Sequence, residues 1–338
     1  MTQVSHLLNN QEKLIARFEI IKAIREFFWS ENFLEVETPL VVKYPGQEPY
    51  LSPLKVKVKN EKGESFDGYL HTSPEYAMKK MLASGFDKIF SICKCFRDAE
   101  SFGGAHNPEF TMIEWYRKNA GYFDLMNDTQ KLFNFIAKKK IRGLDANFIK
   151  KIKQPWLKKT MKELWRQFIG VNLDDYLTTE KMASLARAKG FNLKNGLAYE
   201  DYFYGIFLNL IEPKLGFDAP TFVYLYPQQM AALSKISPED SRYAERFELY
   251  IDGLELANAF SELTDAKEQR ARLLEEQALR KKLGKEDFAL DEDFLKALEM
   301  ELPEMAGIAL GVDRLAQLFL ACKNIDNVLT LPMSKLFN

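Results

Sequence analysis

Between Phe96 and Tyr116 the chain reads FRDAESFGGAHNPEFTMIEWY: an arginine, a glycine-containing loop with acids and one histidine, then an alternating apolar strand. Such a strand–loop–strand unit can hold a nucleotide, with Arg97 on a phosphate, the loop at the phosphate tail and base edge, and Phe110 as a stacking face. An ordinary solvated hairpin shows the same pattern, so the segment takes its meaning from its company. Glu255 and Glu262 lie seven apart in GLELANAFSEL, a spacing that sets them on opposite faces of a straight strand. A bulge or strand end near Asn258 and Ala259 brings both to one site. There they can hold magnesium against the phosphates of ATP or receive a substrate ammonium; as solvated acids they do neither. In GVDRL, Arg314 follows a Gly-rich turn at a helix start, where a guanidinium can lie on a base or grip a γ-phosphate. Simple helix capping by an Asp-Arg pair produces the same letters.

The remaining composition narrows the class of protein. With 338 residues, 46% hydrophobic and 28% charged, the chain has ample length for a globular core. A net charge of −1 argues against a protein whose main work is gripping nucleic acid, which calls for a basic surplus. The lysine clusters between 137 and 160 read as solvated helix faces. No run approaches the roughly 18 apolar residues of a membrane span, and the start MTQVSHLLNNQEK lacks a signal-peptide core, so a cytoplasmic protein without a membrane partner is expected. Three histidines, His6, His71 and His106, leave few bases for a nucleophilic triad and none to spare for a histidine-rich metal site. Cys93 and Cys95 share one face if SICKCF is a strand; without a second ligand pair they read as buried thiols rather than a zinc site. LGKED near 283 lacks the preceding glycine and following Ser/Thr of a phosphate-binding P-loop.

The elements that must position these groups follow from periodicity. Leu14, Phe18, Ile21, Ile24, Phe27 and Phe28 predict a helix over 11–30, and NFLEVETPLVV a strand until Pro39, which marks an edge or interface. A hairpin is expected over 51–72, then a helix from Pro74 to Ser84 capped by Ser73 with Glu75 in its first turn. KIFSICKCF is a strand, 120–217 is mostly helical, and strands return at TFVYLYP and RFELYIDGLELANAF. A charged helix spans 264–284, and GIALGVDRLAQLFLA is a Gly-rich strand end running into a helix. With no repeat, linker or low-complexity tail, the pattern predicts a single α+β domain over 1–338: a largely antiparallel sheet flanked by helices, with a helical insertion.

In this order the pieces resemble the three signature motifs of the class II aminoacyl-tRNA synthetase catalytic core. Motif 1 falls at about 12–40 with Pro39, motif 2 at about 90–117 and motif 3 at about 305–321, with the helical insertion at about 120–217. HTSPEYAMKK, HNPEFTMIEWY and ELANAFSELTDAKEQRAR are similar to the lysyl-tRNA synthetase branch, and the resemblance runs from about residue 12 to 330. Motif 1 begins about a dozen residues in, so the N-terminal OB-fold that reads the anticodon in lysyl-tRNA synthetases is expected to be absent, and tRNA is not an expected partner. A stand-alone core of this kind resembles the paralogues that attach (R)-β-lysine, or lysine, to a lysine side chain of translation elongation factor P. PTFVYLYP and ISPEDSRYAERFELYIDG look closer to those than to the tRNA-charging enzymes. Ala309 agrees, because lysyl-tRNA synthetases usually carry glycine there and a methyl suits an amine displaced by one carbon.

The resemblance implies a ligase that uses ATP and Mg2+, forms an aminoacyl-adenylate and pyrophosphate, and passes the acyl group to an acceptor amine with release of AMP. By carry-over, Arg97 neutralises the α-phosphate, His106 and Arg314 hold the phosphate tail, and Phe110 and Arg314 sandwich adenine. Asn107, Leu256 and Gly311 line the nucleotide site. Glu255 and Glu262 carry magnesium, and Glu262 also faces the substrate's terminal amine. Ser73, Pro74, Glu75, Glu114, Tyr116, Asn258 and Ala309 shape the amino-acid pocket, and motif 1 builds a homodimer. Motif 2 departs from the usual Arg-Asn-Glu opening: here Arg97-Asp98-Ala99-Glu100 precedes a loop one residue longer, with GGA before His106. Glu100 is expected to read adenine by a one-residue shift, with Asp98 the alternative. Ala259 replaces a glycine common in the bacterial enzymes, which is expected to alter the pocket floor. Two other functions fit the same letters: a truncated lysyl-tRNA synthetase paralogue that charges tRNA, and a non-catalytic sensor of lysine or ATP. Retention of Arg97, Glu255, Glu262 and Arg314 argues against the sensor.

Overall fold

A computed structural model describes residues 2–300 and 302–337. The Thr2 hydroxyl accepts a hydrogen bond from Ser5 N at 3.2 Å and caps α1 (Gln3–Ser30), which starts well before residue 11. This helix has two apolar faces. Leu14, Ile20, Ile24, Phe27 and Phe28 are buried, whereas Phe18, expected among them, is 50% exposed on the opposite side.

Ahead of Pro39 only β1 (Leu34–Glu35) of the NFLEVETPLVV segment becomes regular strand, pairing parallel with Ile89–Phe90 at the sheet edge; exposed Pro39 lies just past it. β2 (Val41–Val42), β3 (Leu54–Lys59) and β4 (Ser65–Leu70) form a separate antiparallel sheet in the order β2-β4-β3. The Ser73 hydroxyl accepts from Glu75 N at 3.1 Å, but Pro74 rather than Ser73 is the N-cap of α2 (Glu75–Ala83), which starts one residue later than expected. β5 (Lys88–Phe96) and β6 (Glu109–Lys118) are the antiparallel strands around the motif 2 loop.

The insertion carries α3 (Tyr122–Ala137), α4 (Ala146–Ile152), β7 (Leu157–Thr160), α5 (Met161–Leu164), α6 (Thr179–Ala188) and α7 (Tyr199–Leu210). It is not purely helical, because β7 pairs parallel with β8 (Thr221–Pro227) and extends the main sheet. β9 (Tyr243–Ile251) and β10 (Leu254–Ser261) turn at Asp252-Gly253, and α8 (Ala266–Lys282) and α9 (Glu292–Leu298) follow. β11 (Met305–Gly311) runs into α10 (Val312–Phe319), and α11 (Met333–Leu336) ends the described chain. The eight-stranded sheet has the order β1-β5-β6-β11-β10-β9-β8-β7, antiparallel except at its two edges.

The period-two pattern gives this sheet two unlike faces. One face packs α1, α3 and α10 through Phe28, Phe90, Trp115, Phe133, Ile308 and Phe319; Phe28 stacks on Phe90 at 4.9 Å. Each side chain of that size contributes about 1.5–3 kcal/mol when fully buried. A second core joins Trp165, Phe203 and Phe207 of the insertion to Val223, Tyr226 and Tyr250. The other face of the central strands carries polar groups and floors a cavity.

Candidate active site

The cavity has a volume of about 810 Å³, within the ~300–1,000 Å³ of ligand sites. Its floor is set by strand register. Directly paired residues share a face, so Glu248, Asn258, Ala309, Glu114 and Ser91 form one rung across β9, β10, β11, β6 and β5. All but Ser91 line the cavity. One rung along, Gly307 pairs with Tyr116. A Cβ at Gly307 would lie 2.0 Å from the Tyr116 ring and 2.5 Å from Glu262 Oε1, so only glycine fits there. Ala259, expected to alter the floor, is instead fully buried in the core on the opposite face.

A bulge explains Glu255. Pairing of β10 with β9 slips between Glu255 and Ala257, so the extra residue is Leu256, not Asn258 or Ala259. Ala257 pairs with core residue Leu249, but Glu255 pairs with Tyr250 and so turns to the cavity face. Glu255 lines the cavity and Glu262 does not. Seven residues of strand rise separate the two by roughly 20 Å of backbone. They do not share a metal site, which corrects the expected Glu255–Glu262 magnesium pair. The carboxylate near Glu255 is Glu248, held by Arg246 at 2.6 Å and by the Tyr226 and Tyr250 hydroxyls at 2.6 and 2.5 Å. Burial, and then the Glu248 charge, push the Glu255 pKa up to about 7.

Glu262 sits instead below Gly307, with Oε2 at 2.5 Å from Lys79 Nζ. Lys79 also meets Glu75 at 2.6 Å. Lys79 thus bridges the two carboxyl groups, and Glu262 Oε1 has no hydrogen-bond partner. Burial pushes Glu262 up against the opposing pull of Lys79. Glu114 is also buried, accepting from Ser73 Oγ at 2.6 Å and the Tyr116 hydroxyl at 2.9 Å. Burial first, and then Glu75, raise its pKa well above the usual range. Asn258 Oδ1 is buried and unpartnered. An acidic pocket with idle acceptors suits a cationic side chain. Pro74, expected in this pocket, is the N-cap of α2 and lies off the wall.

The end of the cavity expected to hold nucleotide is built from the motif 2 loop and α10. Gly103 and His106 exchange backbone hydrogen bonds at 3.0 and 3.2 Å, closing a turn in which Gly103 has φ +104° and Gly104 φ +68°. Arg314 donates Nε–H to Ala105 O at 3.1 Å, one NH1 proton to Glu255 O at 2.6 Å, and one NH2 proton to His106 Nε2 at 2.9 Å. Arginine can only donate, so His106 accepts at Nε2; desolvation and the Arg314 charge lower its pKa accordingly. Arg97 lies 5.0 Å from the centre of the Phe110 ring, and its Nε is buried without a partner. Arg97, Glu100, His106, Asn107, Phe110, Leu256, Gly311 and Arg314 all line the cavity. Asp98 does not: it is exposed, accepting from Ala99 N, so the one-residue shift to Glu100 is the arrangement the fold supports. Asn107 donates to Glu109 O and accepts from Met333 N, fixing α11 against the site.

Asp313 ties all three motifs together. Its carboxylate accepts from Arg17 of α1 at 2.7 Å and from Thr111 N of β6 at 2.6 Å, and Arg17 also donates to Thr111 Oγ1 at 2.9 Å. Arg314 thus leaves a helix start anchored to both neighbours. Sequence reasoning missed Arg246 and Glu248, whose signal was charge at alternate positions of the apolar strand YAERFELYI. It also missed the wall that α7 supplies through Glu200, Asp201 and Tyr204, and Glu276 of α8.

Comparison with known proteins agrees with this geometry. The family model described as tRNA synthetases class II (D, K and N) matches residues 5–335. An elongation factor P--(R)-beta-lysine ligase of Histophilus somni strain 2336 is 39% identical over 325 residues, covering 94% of each chain. The protein of that name from Haemophilus influenzae strain PittGG is 37% identical over 335 residues, covering 98% of each, and that of Pasteurella multocida is 38% identical over 323 residues, covering 94% of each. With its antiparallel sheet, its cavity lined by Arg97 and Arg314 and a match over nearly its full length, the chain belongs to the class II (D, K and N) tRNA synthetase family.

Proposed function

We propose that this chain is an ATP-dependent ligase that activates (R)-β-lysine or lysine as an adenylate and transfers it to a lysine side chain of elongation factor P. The observation that carries this reading is the floor of the cavity. Glu114 and Glu75 line the Gly307–Ala309 strip and Glu262 lies just behind it, three carboxyls served by the single Lys79 ammonium, beside a pair of arginines suited to phosphates. The substrate ammonium would take the idle Glu262 Oε1 and the Glu114 carboxylate, with Ser73 and Tyr116 fixing the latter. Its carboxylate oxygen then attacks the α-phosphorus while the bond to the bridging oxygen breaks and pyrophosphate leaves. Arg97, whose Nε lacks a partner, neutralises the charge that gathers there. Adenine stacks on Phe110 in the place Arg97 now covers, with Arg314 on its other side and Glu100 at its edge. The acceptor amine next attacks the acyl carbon and AMP leaves. Positioning and charge do the work, and no side-chain nucleophile is needed.

Magnesium fits Glu255 with Glu248 beside it, since burial and then the neighbouring Glu248 charge make the Glu255 carboxylate costly without a cation; when bound it would neutralise phosphate charge. Lys79 already holds Glu262, which therefore serves the amine rather than the metal.

The chain acts as one catalytic domain and pairs through motif 1. Val4, Leu8, Ile15 and Phe18, all at least 50% exposed, fall within about 80° on one face of α1 at 100° per residue. Leu8→Lys with Phe18→Lys is expected to convert a dimer to monomer in sedimentation; a wild-type monomer sinks this point. Among the described residues no helix is long and apolar enough to cross a membrane. Pyrophosphate exchange with lysine and both β-lysine enantiomers, then transfer assays on elongation factor P and lysine tRNA, test the whole reading. Transfer to tRNA but not protein would overturn it.

A further inference from the structure

His71, Cys93 and Cys95 form a second cluster of reactive groups, outside the cavity wall. Cys93 Sγ lies 3.9 Å from Cys95 Sγ, which in turn lies 3.9 Å from His71 Nε2, and one potential ligand atom from each residue falls within 4.8 Å of the others. The sequence placed the two thiols on one face but gave no third ligand. The fold supplies it from the end of β4, where His71 N donates to Leu40 O at 2.9 Å and His71 O accepts from Phe96 N at 3.0 Å.

We propose that His71, Cys93 and Cys95 bind a single thiophilic metal ion of the zinc(II) or copper(I) class. Thiolate ligands about 2.3 Å from such an ion stand on the order of 3.8–4.0 Å apart at tetrahedral to trigonal angles. The thiols already have that spacing. A disulfide is a poorer fit, because it needs the sulfurs about 2.05 Å apart. Both cysteines sit in an unbroken stretch of β5 paired with Met112 and Phe110. In such a strand their Cα atoms are about 6.6–6.8 Å apart, the upper limit of the disulfide range. His71 and Cys95 are buried and held by backbone pairing, while Cys93 is half-buried and gives the ion a way in. On binding, each thiol loses its proton to solvent. The His71 Nε2 proton, which now bonds Lys94 O at 2.7 Å, must leave that nitrogen, the ring keeping one proton at Nδ1. The ion then clamps the end of β4 to β5, two residues before Arg97.

The test uses the full chain stripped with chelator and titrated separately with Zn2+ and Cu+. Expected are one equivalent bound per chain, a raised melting temperature, and protection of Cys93 and Cys95 from alkylation. Co2+ loading should give a thiolate-to-metal absorption band. Both His71→Ala and Cys93→Ser, each checked for an unchanged urea midpoint, should lose the equivalent and the band. Free, alkylatable thiols at saturating metal would overturn the proposal. So would one equivalent persisting in the Cys93→Ser/Cys95→Ser double variant, or a Cys93–Cys95 disulfide forming under mild oxidant without metal uptake.

Discussion

Replacing Asp313 tests whether the three motifs are one mechanical unit. Asp313→Ala leaves the Arg17 guanidinium, whose side chain is 7% exposed, with Thr111 Oγ1 as its remaining hydrogen-bond partner, and strips Thr111 N of its acceptor. Breaking a buried ion pair from one side costs about 3–5 kcal/mol, because the abandoned charge stays buried. An orphaned backbone N–H costs about 1–3 kcal/mol, and the two do not simply add. A loss of about 4 kcal/mol is therefore expected, a large share of the ~5–15 kcal/mol that holds a domain folded. Arg17→Met combined with Asp313→Ala removes both charges and should recover at least about 1.5 kcal/mol relative to the sum of the Arg17→Met and Asp313→Ala losses. Urea unfolding of the four proteins closes the cycle. The same Asp313→Ala variant should raise the KM for ATP in pyrophosphate exchange, since Arg314 follows it on α10. If the single changes lose less than about 1 kcal/mol, or if the cycle is additive, the pair is not the tie described.

Three further outcomes follow from the cavity's charge and shape. Burial lifts Glu255 to about 7 and Glu276 to about 8. The empty fold therefore keeps these acids protonated at pH values where the unfolded chain, at about 4.5, has already lost its protons. Stability of the unliganded protein should fall as pH rises from about 5 to 8, and cation binding between pH 6 and 8 should release protons. Calorimetry of lysine with Mg2+ and an ATP analogue in buffers of different ionisation enthalpy reads the release directly; a buffer-independent heat would refute it. Ala309→Gly removes the one methyl between Glu114 and Asn258. A methylene-sized change in a pocket is worth about 1–3 kcal/mol. The exchange ratio of lysine to (R)-β-lysine should rise by roughly 5- to 150-fold; an unchanged ratio would remove Ala309 from the specificity set.

What was legible in the sequence depended on whether a role was local. Phe110, His106 and Arg314 declare themselves because strand, loop and helix start are local patterns, and Glu75 follows Ser73 at the start of α2. The Glu255–Glu262 spacing also signalled a bulge, but its position could not be read, since slippage at Leu256 depends on β9. That single residue decides which acid accompanies Glu255. Periodicity likewise identified α1 but misassigned Phe18, because a helix with two apolar faces does not reveal which one the chain itself covers. The partnership of His71 with Cys95 was invisible for a third reason: 24 residues separate them, and β4 returns to β5 only in the fold.

The distribution of charge argues for order in the reaction. Without ligand, Arg97 covers Phe110, and Arg314 is committed to Ala105, Glu255 O and His106. Both arginines must give up some of these contacts to grip phosphates, so nucleotide binding rearranges its own site. The amino-acid floor has no such competition. Glu114 is already oriented by Ser73 and Tyr116, and Glu262 by Lys79, with one oxygen left open. A cationic amino acid therefore meets a preorganised site, and its ammonium favours the charged forms of Glu114 and Glu262 that burial opposes. Both ends of the cavity lie along β10, which contributes Asn258 and the Leu256 bulge to its lining. A truncated substrate lacking the ammonium should for this reason lose affinity for its own pocket and also bind ATP less well than the full substrate pair. The reciprocal effect, ATP tightening the amino acid, must have the same size, because the coupling belongs to one equilibrium.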